Sequence, residues 1–329
     1  MISFERMQFI HDLVDEVGIS EACKTTNLPR CTIIDYLSRF AGKSQGTTAK
    51  ILLMDIETAP TKAYVWQLMR NNYIHINQIV RSDKDWNMIC WRAKWLFDDT
   101  VMGDVLTPEE AIVGDDERIA RTLWDQMDEA DIIIGHNLDD FDRRKANSRF
   151  LIHGLLPPSS YQIIDTLKVA RGQFSVLSNK LDYLCQILGI GAKLHTGFQL
   201  WRDCIGDNPI ETTTINAGNY VSRCETFDLK TITNALQRMF IYCEQDTSIL
   251  EDLYLRLRPW IKSHPNMALY FEDREGRCAS CGGTNLRAGK PYYTPTGEYQ
   301  SYRCWHCGSF TRSRHSVKRE EDLLRSVAR

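Results

Sequence analysis

The chain has 329 residues, of which 43% are hydrophobic and 25% charged, and a formal net charge of −3. This is the composition of a soluble globular protein with room for one large core and one or two small modules. No run of some 18 apolar residues is present, which excludes a membrane-spanning helix, and the start Met-Ile-Ser-Phe-Glu-Arg lacks the blocks of a signal peptide. Eleven cysteines, four of them in paired metal-ligand spacing, favour a reducing, cytoplasmic setting over a disulfide framework. The net charge hides a division: residues 51–273 carry 23 basic and 32 acidic side chains, whereas residues 274–319 carry nine and two. An acidic body beside a basic module suits a metal site paired with a surface that attracts phosphate.

In chain order, residues 4–17 and 20–40 show helical periodicity, with Met7, Ile10, Leu13 and Val14 on one face. Gly18 breaks the first helix, Ser20-Glu-Ala starts the next, and Asn27-Leu28-Pro29 turns into a third over Arg30–Phe40. This segment, 1–45, resembles a helix-turn-helix of homeodomain-like type, which would put Arg30, Thr32 and Asp35 near the groove-facing end of a recognition helix. A small helical docking module is the alternative, because the first 50 residues carry six acidic and six basic side chains. Residues 41–48 read as a polar linker. The Gly42-Lys43-Ser44 within it is not a phosphate loop, since no strand precedes it and the upstream glycine spacing is absent.

Residues 51–57, Ile-Leu-Leu-Met-Asp-Ile-Glu, read as a buried strand on which Asp55 and Glu57 point to the same side. Two adjacent carboxylates repel each other and lose hydration, and a divalent cation between them offsets both costs. Ala59 and Pro60 end the strand, so two solvated acids in a loop are the bland reading. A second apolar strand, Asp131–Gly135, leads through His136 and Asn137 into a helix expected from about Asp140 to Leu151. Asp142 falls in its first turn, where Asp139, Asp140 or Asp142 could equally serve the helix dipole. From Met239 to Leu257 apolar residues follow helical spacing, and Asp246 lies inside that stripe, one turn after Tyr242. An acid on a core-facing stripe needs a cation or hydrogen-bond donors, so a structural salt bridge remains open there.

Together these runs resemble the DEDD superfamily of 3′–5′ exonucleases, in its tyrosine branch and its ribonuclease H-like fold. The motif D-x-E is met by Asp55 and Glu57, N-x3-F/Y-D by Asn137, Phe141 and Asp142, and Y-x3-D by Tyr242 and Asp246. The flanks Ile164-Asp165-Thr166-Leu167-Lys168 and Asn179-Lys180-Leu181-Asp182 are similar to the proofreading domains of family B DNA polymerases. The likeness covers residues 48–262, and no polymerase domain follows, as in stand-alone phage-type exonucleases.

The resemblance implies an α/β domain with a mixed central sheet. It also implies that Asp55, Glu57, Asp142 and Asp246 hold two Mg²⁺ or Mn²⁺ ions about 3.5–4 Å apart for phosphodiester hydrolysis. Tyr242 would orient the attacking water, and Thr58, Asn137, Phe141 and Lys180 would contact substrate. DNA 3′ ends, single-stranded or in duplex, are the expected substrate, with replication or repair proteins as partners and no membrane. Exoribonuclease action, a structure-specific endonuclease, and a non-catalytic DNA-binding or regulatory protein on a nuclease scaffold are the alternatives.

Downstream, Cys278-Ala-Ser-Cys281-Gly and Cys304-Trp-His-Cys307-Gly form two C-x2-C pairs with 22 residues between them. Four thiolates around one Zn²⁺ make a closed structural site, and Pro291–Tyr302 reads as a hairpin with a Pro-Thr-Gly turn. Residues 270–316 thus resemble a zinc ribbon, with His306 outside the ligand set. Tyr292, Tyr293, Tyr299, Tyr302 and Trp305, interleaved with Arg303, Arg312 and Arg314, suit single-stranded nucleic acid by stacking and charge. The alternative, equally open, is that the aromatics cover a module too small for an ordinary core. The tail 317–329 reads as a short amphipathic helix.

Overall fold

The computed structural model describes residues 4–30, 32–34, 36, 37, 39, 49–65, 79–191, 193, 194, 196–207, 211–217, 220–295 and 297–317. Asp35, the linker 41–48 and tail residues 318–329 lie outside the described residues. Helices α1 (Phe4–Val17) and α2 (Ile19–Thr26) come first. Strand β1 (Ile51–Thr58), the antiparallel pair β2 (Lys62–Val65) and β3 (Ile79–Lys84), β4 (Met88–Trp95) and β5 (Met102–Val105) follow. Next are α3 (Pro108–Val113), α4 (Glu117–Glu129), β6 (Ile132–Gly135), α5 (Asp142–Ile152), β7 (Gln162–Asp165), α6 (Thr166–Gln173), α7 (Leu181–Ile187) and α8 (Gln199–Cys204). The antiparallel pair β8 (Glu211–Ala217) and β9 (Tyr220–Thr226) precedes the 29-residue helix α9 (Leu229–Leu257). Residues 51–167 with 178–251 form one compact unit, and residues 1–50 with 168–177 and 252–329 form a second.

The first unit is a mixed α/β body around a five-stranded sheet in the order β5-β4-β1-β6-β7. The β1–β4 and β4–β5 pairs are antiparallel, and β1–β6 and β6–β7 are parallel. This is the strand arrangement of a ribonuclease H-like sheet. Strand β1 is central because it is apolar on both faces: Ile51 to Met54 and Ile56 are all buried. The parallel ladder with β6 stops at Leu53 paired with Ile134, so the last residues of β1 run on with that edge free of β6. A crevice beyond the end of parallel strands is where open α/β sheets place their ligands.

Helix α9 begins ten residues earlier than the Met239 expected from periodicity. Ile232, Ala235 and Leu236 extend the buried stripe upstream, and the Asp228 carboxylate accepts from the Lys230 N–H at 3.1 Å near its start. Polar ties fix α9 to β4 and its loop. Arg92 pairs with Glu244, Lys94 forms a buried pair with Glu251, and Glu251 also accepts from the Phe97 N–H at 3.1 Å. Lys94 therefore belongs to the interior, where it is neutralised rather than solvated. Trp91 is core, its indole N–H donating to the Ile119 carbonyl at 2.9 Å.

In the second unit, Ile10, Val14, Ile19, Ala22, Ile33 and Leu37 form the core of the N-terminal helices. Gly18 separates α1 from α2 at φ +80°, which a residue with a Cβ adopts only under strain. Residues 32–34 continue as helix. The C-terminal strands are β10 (Leu286–Ala288), β11 (Tyr292–Thr294), β12 (Gly297–Tyr299), β13 (Ser301–Cys304) and β14 (Phe310–Arg312). The hairpin expected over 291–302 is shorter: β11 pairs with β12 only, and β13 joins β10 and β14 in a separate three-stranded sheet. Among the described residues no helix is long and apolar enough to cross a membrane.

The first unit also holds a buried ion cluster. Asp116, fully inaccessible, accepts from the Met88 N–H at 2.7 Å and from Arg149 and His153 at 2.6 Å each. It ties the start of β4 to α5. Removing one member of a buried pair strands the other charge. Asp116→Ala is therefore expected to lower the unfolding free energy by about 3–5 kcal/mol in urea titration.

Candidate functional site

The expected acids come together at the carboxyl end of β1. Asp55 and Glu57 share a face of the strand and are half-buried, while Asp142 and Asp246 are 3% and 2% exposed. Oxygens of Asp55, Glu57 and Asp246 all lie within 4.8 Å of one another. Asp142, first residue of α5, accepts from the Ile56 N–H at 3.1 Å, a donor available because β6 no longer pairs there. A register irregularity between Glu57 and Thr58 ends the β1–β4 ladder beside the site and leaves Thr58 half-buried at its edge.

The loop carrying the second motif is held by an acid from one of the polymerase-like flanks. Asp165, at the end of β7, accepts from the Asn137 and Leu167 N–H groups at 3.0 Å each and from the Asp139 N–H at 3.3 Å. Asn137 has φ +74°, a conformation asparagine tolerates. Gly135 is required here: a Cβ would lie 2.7 Å from the Leu138 Cβ. Asp139 pairs with Arg143, and Asp140 with Arg144 at 3.0 Å, so of the three candidate acids only Asp142 is committed to β1. His136 bridges the Thr166 hydroxyl and the Asn179 carbonyl at 2.9 Å each, a structural placement. Phe141 is 37% exposed and not core, and Lys180 is exposed at the start of α7.

Two residues at the centre carry no sequence signal. Lys193 forms an ion pair with Asp246, and its ammonium lies 5.4 Å from the Tyr242 ring centroid. The Cys243 thiol contacts Asp55 from inside α9, with Sγ 3.4 Å from the carbonyl and 3.5 Å from Oδ2. Burial pushes the Asp55 carboxyl up to about 7, with Asp246 adding to it and Lys193 opposing. Desolvation and the neighbouring carboxylates also raise Glu57, and desolvation with Asp55 raises Asp142. Asp246 is raised by desolvation, against the pull of Lys193. Burial opposes the charge on Lys193, but Asp246 and Asp55 outweigh it and hold the ammonium protonated. Tyr242 is pushed up to about 12 by desolvation and by Asp246, so it stays a phenol at neutral pH.

A metal fits these residues. Asp246 Oδ1 is buried without a hydrogen-bond partner, the donors are all oxygen, and a lysine ammonium already sits against the acids as a cation would. The cluster can bind a hard divalent cation.

The second candidate centre is sulfur. Cys278, Cys281, Cys304 and Cys307 have their Sγ atoms within 4.8 Å of one another. The Cys278–Cys307 and Cys281–Cys304 separations are 3.7 and 3.6 Å. Zn–S bonds of about 2.3 Å give a tetrahedral edge of about 3.8 Å, so the set is shaped for Zn²⁺. Gly282 and Gly308 close the two knuckles at φ +76° and +78°, and a Cβ on Gly282 would lie 2.2 Å from the Phe271 ring. His306 is buried with its ring 5.7 Å from that of His11, outside the four-sulfur set. Trp305, expected as an exposed stacking face, is half-buried against the N-terminal helical core under the Arg287 guanidinium. Tyr292 and Tyr293 are exposed as expected. Arg30 is exposed and Thr32 half-buried.

No family model matches the chain and no curated protein matches it. Among solved structures, the family B DNA polymerase from the hyperthermophilic archaeon Pyrobaculum calidifontis aligns with 75% of this chain at 14% identity and a TM-score of 0.39. The aligned part is 31% of that polymerase, so this chain spans about a third of its length.

Each acid's folded pKa lies above its unfolded value, so neutral carboxyls favour the fold at low pH and that contribution is lost as pH rises, for Asp55 through about 7. Without divalent metal, the melting temperature of wild type relative to Asp55→Asn is expected to fall by a few degrees between pH 5 and pH 8. Added Mg²⁺ should recover that loss, and more strongly at pH 8 because ligation requires ionised oxygens. For the sulfur centre, elemental analysis is expected to find about one zinc per chain, lost in Cys304→Ser, with Mg²⁺-induced stabilisation retained.

Proposed function

We propose that the chain is a metal-dependent 3′–5′ exonuclease of the DEDD type, acting on DNA by phosphodiester hydrolysis. The observation that carries this reading is the convergence of Asp55, Glu57 and Asp246 from one strand and one distant helix, with Asp142 hydrogen-bonded into the same strand. In this reading Asp55, Glu57, Asp142 and Asp246 hold two Mg²⁺ or Mn²⁺ ions. When bound, the ions would supply an acidified water and charge stabilisation at the leaving oxygen.

The chain's own groups do the rest. Tyr242, a phenol at neutral pH, would position water by donating or accepting a hydrogen bond rather than by taking its proton. Lys193 would keep Asp246 ionised and aimed, which makes it a positioning residue. Thr58, Asn137, Phe141 and Lys180 would meet the terminal nucleotide, with the partly exposed Phe141 ring offering a stacking face. DNA is favoured over RNA on the likeness of the motif flanks to polymerase proofreading domains. In the proposed organisation, 1–45 is a helix-turn-helix-like module, 48–262 the nuclease, 270–316 the zinc ribbon and 317–329 a tail. The ribbon brings a basic, aromatic surface to an acidic enzyme.

The test is Mg²⁺-dependent digestion of DNA and RNA single strands labelled at the 5′ end. Wild type is expected to yield a ladder shortening from the 3′ end. Asp55→Ala should lose more than about 100-fold in rate, and Tyr242→Phe about 10–100-fold through mispositioning. Equal, metal-independent signals from wild type and Asp55→Ala would remove the enzyme reading. Faster digestion of RNA would overturn the assignment to DNA.

A further inference from the structure

Where residues 255–260 meet the sheet of the sulfur centre lies a cleft of about 310 Å³, lined by Leu255, Arg256, Pro259, Trp260, Arg303 and Phe310 among others. Its size is at the lower end for small-molecule pockets. Trp260 and Phe310 are 57% and 64% exposed, an unusual placement for two large aromatic side chains facing one cleft. The Trp260 ring is braced edge-on by Phe174 at 5.3 Å between centroids, and the Arg303 guanidinium lies 5.1 Å from the Phe310 centroid. Among the described residues no carboxylate lines the cleft, although it is flanked by two guanidinium groups.

We propose that this cleft takes one unstacked nucleobase of a single-stranded nucleic acid, against Trp260 and Phe310, with the flanking phosphates on Arg256 and Arg303. An aromatic wall recognises any base through its π face, and a guanidinium on each side recognises the backbone by charge. An apolar side chain from a protein partner would fill the same volume but leave both cations unused, whereas a polyanion matches the excess of nine basic over two acidic residues in 274–319. Cys307 and Gly308 also line the cleft, so its shape depends on the second cysteine knuckle being closed. The inference goes beyond the nuclease reading and does not require it.

The experiment is fluorescence anisotropy of the full chain with a labelled phosphorothioate oligothymidylate, in buffer free of both Mg²⁺ and chelator so that neither cleavage nor zinc loss intervenes. Trp260→Ala and Phe310→Ala are each expected to weaken binding about tenfold, with zinc content and melting temperature unchanged. Trp260→Phe should restore most of the affinity. Arg256→Gln and Arg303→Gln should each lower the salt slope by about one. An oligonucleotide with abasic residues should bind wild type more weakly and lose the difference between wild type and Trp260→Ala. Wild-type affinity in both alanine variants overturns the proposal. So does weakening by the arginine variants alone, which would mark a phosphate contact without a base. If Trp260→Ala leaves nucleic acid unaffected yet abolishes binding of an apolar peptide, the cleft belongs to a protein partner and the proposal fails.

Discussion

Carboxylates crowded at the end of one strand repel one another and are stripped of water, and much of the first unit is arranged to hold them there. The Ile56 N–H serves Asp142, the Cys243 thiol lies against Asp55, and Lys193 closes on Asp246. These groups ease the cost without cancelling it, since desolvation still pushes all four acids toward their neutral forms. A structure that only needed stability would place apolar side chains here instead. Keeping a cluster of unfavourable charges in a dry crevice makes sense where a strongly bound cation relieves it.

The two centres divide the choice of metal by donor chemistry. The strand-end cluster is all oxygen and has one orphaned carboxylate oxygen, a set suited to small hard cations. The cysteine cluster is all sulfur, with two of its separations at 3.7 and 3.6 Å and three of its four cysteines buried, which suits zinc in a structural role. Arg258, buried close enough for Cys307, Cys281 and Cys278 to act on it electrostatically, gives the sulfur cluster a neighbouring positive charge. Four thiolates with Zn²⁺ would carry a net charge of about −2 and so offset the guanidinium charge, although its Nε and Nη2 have no hydrogen-bond partner among the described residues.

Much of this was legible in the sequence because the informative residues sit on regular elements. Asp55 and Glu57 lie two apart on an unbroken apolar strand, and Asp246 interrupts a helical stripe that is otherwise apolar, so alternation and periodicity alone predict their orientation. The knuckles were legible through spacing and the glycine after each pair. What stayed hidden lies on irregular backbone. Lys193 follows a glycine-containing loop with no period to assign it a face; charge balance demanded a cation but could not say which. The role of Asp165 is to accept from three backbone N–H groups that only the folded loop brings together, which no spacing in the sequence signals. Trp305 serves as cover, and what it covers is the core of the N-terminal helices, a contact between segments far apart in the chain that spacing does not reveal.

The contact between Cys243 and Asp55 joins residues 188 positions apart. Pairings of such long range form late, after the intervening chain has been made and collapsed. On a ribosome, the growing polypeptide can complete the five-stranded sheet once β7 emerges, yet it holds only part of the acidic pocket until α9 is synthesised and docks. The order of elements along the chain therefore completes the acidic pocket only when α9 joins a scaffold already built.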